Sequence, residues 1–521
     1  MDRRFYFIFG LLALTGAVAI ALLYAKTLDD PFHFDDRRWI EHNKGLGSAT
    51  LLGYLKSPHR GISFFTFALN YRLHGLSPAP WHIVSLVLFW LCGLMLFAVM
   101  TGVLLGQKPL VAAGCVMVFL LHPIQTQAVA YVTQRMELLC GLFSLASLFF
   151  VLKGVRGAGK IRFVWYGLGL VAVALAMRSK ETAWALPPVI ALALWLFPPK
   201  DQTRIDRRLW FRAAFVVAAL AVAFSSSFLS LKQTVTEPTQ LARELSDVKP
   251  EKPIGHLTYF LTGQEVIWRS LRQFVFPNRL AIDHDVPRSQ GLTDPSTLAA
   301  LFGIAALLAA MVLLRKKAPA TSLGIGWMLL FFAPSTTFVP LADIMVDHRT
   351  FIPFMGLFFA AGEWLSRIER ERVAVAVLAV LCVPLAVASF VRLDVWGDNY
   401  TLWQDAAKKY PNLARPYNNM GIALVHKQNF SDAAALFRNA VRLAPNYHDA
   451  RINLANSCVM SHDYQCAAAQ YKAALDLQYQ RQAAVNYCKV LAATGQTAAV
   501  ESFLAAIPEP EQQAVRSAIN L

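Results

Sequence analysis

The sequence predicts an all-α protein that crosses a membrane many times and ends in an array of helical repeats. Of its 521 residues, 56% are apolar, and many of these form runs long enough to cross a bilayer as helices. Lys and Arg collect in alternate connections between the runs, as they do in cytoplasmic loops. From about residue 396 the composition turns polar and Ala-rich, with a period of 34 residues. We therefore expect a membrane domain at 1–395 and a repeat domain at 396–521.

Eleven apolar runs are candidate membrane helices, and several are short enough to be tilted or broken. They lie at about 5–24, 82–105, 109–122, 137–153, 162–178, 182–198, 210–231, 293–314, 320–338, 351–366 and 372–391. Two arginines precede the first run and no small-residue cleavage site follows Tyr24. This pattern predicts an uncleaved anchor with a cytoplasmic N-terminus.

The charge pattern predicts the topology. The inner connections 153–162, 200–212, 315–317 and 367–372 are basic, and eleven spans place the C-terminal end outside. The outer face then holds the loops 26–80 and 232–292 together with the repeats. We expect a bacterial inner membrane with periplasmic repeats, and the endoplasmic reticulum is the alternative. Six cations of the first outer loop either weaken this assignment or mark a functional surface: Arg37, Arg38, Lys44, Lys56, Arg60 and Arg72.

The net charge of +16 therefore requires no nucleic-acid partner, and the chain has no Cys/His finger and no RNA-binding signature. A P-loop, a G-x-S-x-G elbow and an H-E-x-x-H motif are also absent from the sequence. Phosphoanhydride-driven chemistry on the cytoplasmic side is consequently unsupported.

The C-terminal period is typical of tetratricopeptide repeats, which are pairs of helices with small residues where the helices cross. Ala433, Phe437 and Ala440 recur 34 residues later as Ala467, Tyr471 and Ala474. We expect repeats at 414–447 and 448–481, a degenerate copy at 482–515, and the second helix of a half-repeat at 398–413. Such arrays form curved solenoids that bind proteins or peptides on their concave face, although a purely structural cap is the alternative.

Seven cysteines divide between the two predicted domains. Cys92, Cys115, Cys140 and Cys382 lie in apolar runs and are expected to pack as small hydrophobic residues. In the repeats, the spacing of Cys458, Cys466 and Cys488 matches no zinc site. A Cys458–Cys466 disulfide requires an extracytoplasmic location, and we favour two free core thiols instead.

An acid pair, Asp35-Asp36, follows the first apolar run in the stretch F-H-F-D-D-R-R-W-I. Adjacent carboxylates just outside a span can act as a general base, hold a metal ion, or simply be solvated. Charged groups at membrane depth are costly and usually functional. The pair is therefore a candidate catalytic site.

Further polar clusters are predicted on the same outer face, and each could instead have a purely structural role. Arg60, after His59, either faces a lipid phosphate or snorkels from an interfacial helix. Lys180-Glu181 either helps to form a phosphate site or closes a polar turn. His122 is either a helix-end residue or a ligand, and Arg135 with Glu137 is a possible structural pair. The triplet Asp347, His348 and Arg349 directly precedes a span, and Arg269 resembles an interfacial anchor.

The order of these motifs resembles a known family. The stretches F-x-F-D-D-x-x-x-I, R-x-x-S-F-F-T-F-A-L-N-Y-x-L-H-G, P-x-x-W-H, L-H-P-I-Q-T-Q-A-V-A-Y-V, S-K-E-T-A and D-H-R-T-F-I-P precede the repeats in that order. The chain is thus similar over nearly its whole length to the transmembrane-and-tetratricopeptide-repeat O-mannosyltransferases and their bacterial relatives. That family belongs to the C superfamily of glycosyltransferases (GT-C).

The resemblance implies an integral-membrane enzyme that takes a sugar from a polyprenyl-phosphate carrier outside the cytoplasm. An acid of the first outer loop is implied as the base, which here is Asp35 or Asp36. We favour Asp35, with Asp36 positioning the acceptor or supporting the base. Arg60, Lys180 and Arg349 are implied to hold the carrier phosphate. His59 stands where relatives often have another residue, and Gly61 replaces the usual Pro.

Physical chemistry agrees with this scheme. A carboxylate can remove the acceptor's proton, and cations can stabilise a phosphate leaving group, which predicts inversion without a required metal. A divalent cation at Asp35 and Asp36 remains an option. We expect transfer to a Ser or Thr hydroxyl of a protein that the repeats bind. The alternatives are a non-enzymatic scaffold for envelope assembly and a ligase or polymerase of whole glycans.

Overall fold

The computed structural model describes residues 3–57, 59–104, 108–157, 159–198, 218, 254–337 and 340–519. Every regular element within these ranges is a helix, which confirms the predicted all-α class. Apart from residue 218, the predicted run 210–231, the basic connection 200–212 and the loop up to residue 253 lie outside the described residues.

The chain divides into two compact units. The first comprises Met1–Pro238, Ile254–Ile282 and Val286–Gly397. The second comprises Thr239–Pro253, Asp283–Asp285 and Asp398–Leu521. A short piece of the long loop thus belongs to the second unit, which nothing in the sequence pattern indicated.

The helices of the first unit include every predicted apolar run that is described, and also three helices outside these runs, Gly61–His74, Thr126–Ala130 and His256–Val275. Their bounds are Arg3–Tyr24, Gly61–His74, Pro78–Val99, Pro109–Leu121, Thr126–Ala130, Arg135–Arg156, Ile161–Met177, Leu186–Leu196, His256–Val275, Pro295–Leu314, Pro319–Thr336, Phe351–Leu365 and Glu371–Asp394. Four of them begin with proline at the first helical position. That position needs no backbone N–H, and the fixed φ of proline suits a helix start.

In the described part of the chain, five helical stretches are long and apolar enough to cross a membrane. They are Arg3–Thr27, Pro78–Gly102, Val132–Arg156, Pro295–Leu314 and Glu371–Gly397. A sixth is formed if the pair Pro109–Leu121 and Pro123–Ala130, bent by 53°, counts as one broken span. The described chain is that of an integral membrane protein, and the total of eleven spans stays a prediction.

The five stretches differ in how deeply they are buried in the protein. Val132–Arg156 is 72% buried, whereas Pro295–Leu314 is 11% buried. A helix that is apolar all round and largely exposed is suited to contact with lipid, and a largely buried one is the core of the bundle. The polar start of the buried stretch, at residues 131–137, therefore lies inside the protein.

Two close approaches bring three helices of the first unit together. A Cβ added at Gly324 would overlap the carbonyl oxygen of Gly356, and one added at Gly263 would overlap that of Thr336. Glycine lets helix backbones approach closely in a membrane bundle. The helices His256–Val275, Pro319–Thr336 and Phe351–Leu365 are packed in this way.

The second unit consists of successive short helices. Their bounds are Asn399–Lys409, Ala414–His426, Phe430–Leu443, His448–Met460, Tyr464–Leu477, Arg481–Ala493, Thr497–Ala505 and Glu509–Ile519. Ala433, Phe437 and Ala440 are buried, as are Ala467, Tyr471 and Ala474, their counterparts one period later. A Cβ at Gly421 would overlap the ring of Phe437, so this small residue lets the paired helices meet.

One expectation about the second unit is wrong. Cys458 and Cys466 are joined in a disulfide, with their Cα atoms 6.0 Å apart, and are not two free thiols. The turn between Met460 and Tyr464 reverses the chain, so the end of one helix lies beside the start of the next. The other five cysteines are free.

The Asp283–Asp285 segment is joined to the helices of its own unit by polar contacts. Arg415 donates through Nε to Oδ2 of Asp283 at 2.7 Å, and its Nη2 donates to the other carboxylate oxygen. Both side chains are 9% exposed. The Nδ1 atom of His284 lies 3.0 Å from the hydroxyl of Tyr410. A buried bidentate ion pair thus anchors this segment.

Candidate active site

The acid pair lies in a loop that follows the first long helix, and its two members have different surroundings. Asp36 is fully buried. Its carboxylate accepts the backbone N–H of Thr133 at 2.6 Å, the Thr133 hydroxyl, and the backbone N–H of His33 at 3.2 Å. Asp36 therefore closes its own turn and ties the loop to the segment 132–134.

Burial raises the pKa of Asp36 to about 7, although the hydrogen bonds from Thr133 and His33 oppose this shift. The neighbouring charge of Asp35 adds to the increase. Near neutral pH this carboxyl group is thus partly protonated, and its role in the structure is to hold the loop.

Asp35 is partly exposed, and its backbone N–H donates to the hydroxyl of Tyr131 at 2.9 Å. Tyr131 is 2% exposed and its hydroxyl also lies within hydrogen-bonding reach of the Asp35 side chain. The preceding residue, Phe34, has φ of 42°, in the left-handed region that side chains with a Cβ rarely adopt. Such strain is kept only where surrounding contacts enforce it, and it concentrates at functional sites.

Arg60 precedes the helix Gly61–His74 and also has a left-handed backbone, with φ of 48°. Its Nε and Nη2 donate to the two carboxylate oxygens of Glu181, each at 2.9 Å. Its Nη1 lies 3.6 Å from Sδ of Met136, a weak acceptor. His59 adds a contact of 3.3 Å to Glu181, while burial lowers the pKa of this imidazole.

Lys180 is paired with a different acid. Its Nζ lies 2.8 Å from Oε1 of Glu137 and donates to Oε1 of Gln134 at 2.9 Å. Burial lowers the pKa of Lys180, which Glu137 opposes and the cations Arg60 and Arg349 reinforce. Lys180 and its neighbour Glu181 therefore have different partners. The expected Arg135–Glu137 pair is wrong, because Glu137 binds Lys180 instead.

The triplet 347–349 approaches from another part of the chain. The carboxylate of Asp347 accepts the backbone N–H of Ala281 at 2.9 Å, and Arg349 donates to the carbonyl of Asp343. The backbone N–H of His348 donates to Oε1 of Gln127 at 2.7 Å. Burial lowers the pKa of His348 well below its ordinary value, and Lys180 and Arg349 lower it further, so its imidazole is neutral.

These groups converge on one region. Asp35 and Glu137 both interact electrostatically with Arg60, and Arg60 and Arg349 both do so with Lys180. The three cations that were predicted to hold a phosphate are thus brought together with the predicted base. Like charges gathered in this way need nearby acids or a bound anion for stability. We define Asp35, Arg60, Lys180, His348 and Arg349 as the outer-loop cluster.

The segment 131–137 organises the outer-loop cluster. Tyr131 binds Asp35, Thr133 binds Asp36, and Gln134 with Glu137 binds Lys180. The sequence showed a polar stretch here but did not single out Thr133, because a lone threonine in a turn carries no distinctive signal. Its importance follows from a bond that spans 97 residues of chain.

Arg178, in the same charged turn as Lys180 and Glu181, also contributes to this region. It donates to the carbonyl oxygens of Leu55 and Ser57, the latter at 2.7 Å. Its own carbonyl accepts the N–H of Ile62 at 3.0 Å. A Cβ at Gly61 would overlap the carbonyl oxygen of Tyr54, so a proline could not replace this glycine on the present backbone.

Three predicted site residues lie in structural positions. Nε2 of His122 lies 2.8 Å from the carbonyl of Phe274, and its ring stacks on that side chain. Arg135 is fully buried, donates to Asn70 at 2.9 Å and to the carbonyl of Trp81 at 3.0 Å, and lies over two aromatic rings. Arg269 lies on the helix His256–Val275, 3.7 Å from Glu265.

A divalent cation shared by Asp35 and Asp36 would compete with bonds that already exist. Both carboxylate oxygens of Asp36 accept hydrogen bonds, and a metal ion would have to displace these donors. Asp35 alone provides fewer oxygen ligands than such an ion requires. The residues present therefore fit a hydrogen-bonded anchor and a single carboxylate base better than a metal centre.

Comparison with known proteins finds similarity to protein O-mannosyl-transferases. The chain is 24% identical over 552 residues to protein O-mannosyl-transferase Tmtc3 of Drosophila melanogaster, which covers 90% of this chain and 59% of that protein. It is 23% identical over 514 residues to TMTC3 of Mus musculus, covering 88% and 54%. The chain thus spans little more than half the length of these relatives. No family model matches it.

A shorter stretch is more similar to another relative. Over 198 residues the chain is 31% identical to protein O-mannosyl-transferase TMTC4 of Homo sapiens, which covers 32% of this chain and 26% of that protein. Among solved structures, the crystal structure of ArnT from Cupriavidus metallidurans bound to undecaprenyl phosphate aligns with a TM-score of 0.42. The identity is 16%, with 89% of this chain and 80% of that chain covered.

Proposed function

We propose that this protein is a membrane glycosyltransferase that moves a sugar from a polyprenyl-phosphate carrier to a Ser or Thr hydroxyl of a protein, outside the cytoplasm. The observation that carries the proposal is that one partly exposed carboxylate, Asp35, interacts electrostatically with Arg60, and that Arg60 and Arg349 both interact with Lys180. The similarity to protein O-mannosyl-transferases supports it and makes mannose the first sugar to test.

Asp35 is the proposed general base. Its neighbour Asp36 is enclosed by donors, whereas Asp35 is partly exposed and held through Tyr131. A carboxylate takes the acceptor's proton as its oxygen attacks the anomeric carbon, and such a base contributes about 10²–10⁴-fold to the rate. One direct displacement inverts the configuration at that carbon.

The cations are proposed to stabilise the phosphate that leaves. Arg60 keeps Nε and Nη2 on Glu181, and Nη1 has only the Met136 sulfur near it in the described part of the chain. Two of the three N–H groups of Lys180 are used by Glu137 and Gln134. One donor on each cation can therefore bind a phosphate oxygen while its acidic partner keeps it oriented, which is electrostatic preorganisation.

A scheme of this kind uses no resident metal. The neutral imidazole of His348 lies in the same region and is available to form a hydrogen bond with the substrate. Its Nδ1 is buried and has no hydrogen-bond partner in the described ranges. We propose that it donates or accepts one hydrogen bond to the sugar or phosphate. The helices after residue 397 are proposed to form the predicted tetratricopeptide array and to bind the protein acceptor.

The test is transfer by purified protein in nanodiscs, supplied with polyprenyl-phosphate mannose and with extracts of envelope proteins, followed by mass spectrometry of peptides. We expect a hexose on defined Ser or Thr residues, lost in Asp35→Asn and kept in Asp29→Asn, a nearby loop acid. Transfer by Asp35→Asn at the wild-type rate would eliminate the proposed base.

Cells provide the complementary experiment. The glycosylated peptides of wild type, a deletion strain and the deletion carrying Asp35→Asn are compared. Loss of one mass from the same peptides in the last two strains supports the function. Unchanged glycopeptides, with a growth defect that Asp35→Asn repairs, would favour the scaffold, and loss of a whole glycan would favour the ligase.

A further inference from the structure

The first helices of three successive helix pairs in the second unit carry a row of asparagine side chains. These helices are Ala414–His426, His448–Met460 and Arg481–Ala493. Asn419 and Asn453 occupy the same position one 34-residue period apart. Equivalent positions on equivalent helices present their side chains to the same side of a repeat array, so the two amides lie along one face.

Hydrogen bonds connect this asparagine row from one helix to the next. Nδ2 of Asn453 donates to Oδ1 of the buried Asn418 at 2.9 Å, which links the first two helices. The hydroxyl of Tyr471 donates to Oδ1 of Asn456 and lies within hydrogen-bonding reach of the Asn486 side chain, which links the last two. The amides are therefore oriented before a ligand binds, which lowers the entropy cost of binding.

Three amides of the asparagine row have one half unused. Asn419 donates through Nδ2 to the carbonyl of Arg415 at 3.0 Å, and Asn453 also uses its Nδ2 as a donor. Neither Oδ1 atom has a partner among the residues that the structure describes. Asn456 accepts from Tyr471 through Oδ1, and its Nδ2 has no partner in the same ranges.

The unused atoms belong to side chains that a ligand can reach. Asn419 and Asn453 are partly exposed, and Asn456 is exposed. Asn456 follows Asn453 by three positions in one helix, so the two side chains are neighbours on the helix surface. The asparagine row thus offers two acceptors and one donor to a ligand.

The arginines of the same three helices have partners within the unit. Arg415 is bound in the buried ion pair described above. Arg451 donates to Oε1 of Gln470 at 2.9 Å, and Arg481 makes two hydrogen bonds to the carboxylate of Glu511. The asparagine row itself is uncharged. In charge it therefore complements a neutral chain of hydrogen-bonding groups, and not an anion.

A polypeptide main chain is such a ligand. Every residue except proline carries one N–H donor and one C=O acceptor, and in an extended chain these repeat at about 3.3 Å per residue. Packed helices lie about 8–10 Å apart, so about three extended residues reach from one helix to the next. The hydroxyls of a glycan also form hydrogen bonds, but they do not repeat along one line in this way.

We propose that Asn419, Asn453 and Asn456 bind the main chain of an extended polypeptide segment. The two Oδ1 atoms accept main-chain N–H groups, and Nδ2 of Asn456 donates to a main-chain carbonyl. Recognition of this kind tolerates many sequences, because the contacted groups are the same in nearly every residue. The inference rests on the proposed function only in taking the bound segment to be the acceptor, which is then a stretch with free main-chain groups.

Binding is measured by fluorescence anisotropy with the full chain in nanodiscs. The probe is a labelled peptide of Ala, Gln, Ser and Thr, with about twelve residues so that it crosses all three helices. A shuffled peptide of the same composition should bind with a similar Kd. The parent peptide N-methylated at alternate residues should bind about tenfold more weakly, because it lacks main-chain donors.

Variants of the protein test the named amides. Asn419→Ala combined with Asn456→Ala should weaken binding of the parent peptide about tenfold. This double variant keeps the bond between Asn453 and Asn418. Asn446→Ala is the matched control, because Asn446 is exposed but lies in a turn between helices, and its Kd should equal that of wild type. Circular dichroism establishes that each variant keeps its helices.

Three outcomes would overturn main-chain recognition. They are equal binding of the N-methylated and parent peptides, binding of only one of the two sequences, and no binding of either. Displacement of the peptide by mannotriose, lost in the double variant, would instead assign the asparagine row to a glycan. Transfer is not measured here, so failed binding leaves the proposed catalysis standing, and peptide binding by a protein without transferase activity would contradict the proposed function alone.

Discussion

The buried hydroxyl of Tyr131 accepts the backbone N–H of Asp35 at 2.9 Å. Two residues further along, Thr133 donates its backbone N–H to the carboxylate of Asp36 at 2.6 Å. Neighbouring acids in one loop are thus held by alternate residues of another segment. The arrangement gives the two acids different surroundings, because Asp36 is enclosed and Asp35 is left partly exposed.

Tyr131→Phe tests this arrangement. The ring keeps its contacts with Trp396 and His348, but Asp35 loses its partner. A hydrogen bond to a group of this kind is worth about 1.5 kcal/mol, so we expect kcat to fall about tenfold with little change in KM for the donor. Steady-state kinetics with a lipid-linked sugar measures this. Tyr54→Phe removes a 2.8 Å bond to Gly45 in the same region and should leave kcat unchanged.

Asp36 should make the stability of the protein depend on pH. Burial raises its pKa to about 7 in the folded protein, from about 4 in the unfolded chain. The folded state therefore binds the proton more tightly, and the stability from this group is complete below pH 4 and lost as the pH rises through 7. Thermal unfolding of Asp36→Asn, compared with wild type from pH 4 to 8, should lack this decline. An identical pH dependence in the two proteins would contradict the role of Asp36.

Arg60→Lys tests the bidentate pair with Glu181. An ammonium group cannot bridge both carboxylate oxygens while keeping a planar donor free, so the variant should position its charge poorly. We expect KM for the donor to rise about tenfold, which corresponds to roughly 1.4 kcal/mol. Arg72→Lys serves as the control, since Arg72 donates only to the carbonyl of Ala49 in the described part of the chain. Equal effects of the two changes would argue against a specific anion site at Arg60.

Asp283→Ala should strongly destabilise the second unit. The change leaves the buried guanidinium of Arg415 without its bidentate partner, and breaking such a pair costs about 3–5 kcal/mol. The double variant Asp283→Leu with Arg415→Met removes both charges and should recover most of the stability. Unfolding monitored by proteolysis of the C-terminal helices measures both. A single variant as stable as wild type would show that the pair is dispensable.

Local features were predictable from the chain itself. The helix bounds follow from apolar runs, from prolines such as Pro78 and Pro295 at helix starts, and from the 34-residue period around Phe437 and Tyr471. Asp35, Arg60, Lys180 and Arg349 were recognised as candidates because each is a charged residue beside an apolar run. The Cys458–Cys466 disulfide was not favoured, since spacing alone does not show that a turn places the two sulfurs together.

The sequence by itself determined the helical class, the membrane character and the set of charged residues at the ends of the helices. These depend on residue type and on neighbours a few positions away. Only the tertiary structure decided how the charges are paired, with Lys180 on Glu137, Arg60 on Glu181 and Asp36 on Thr133. The last two bonds join positions 121 and 97 residues apart. Such pairings follow from how helices pack, because packing determines which distant side chains share a buried environment where a hydrogen bond must be made.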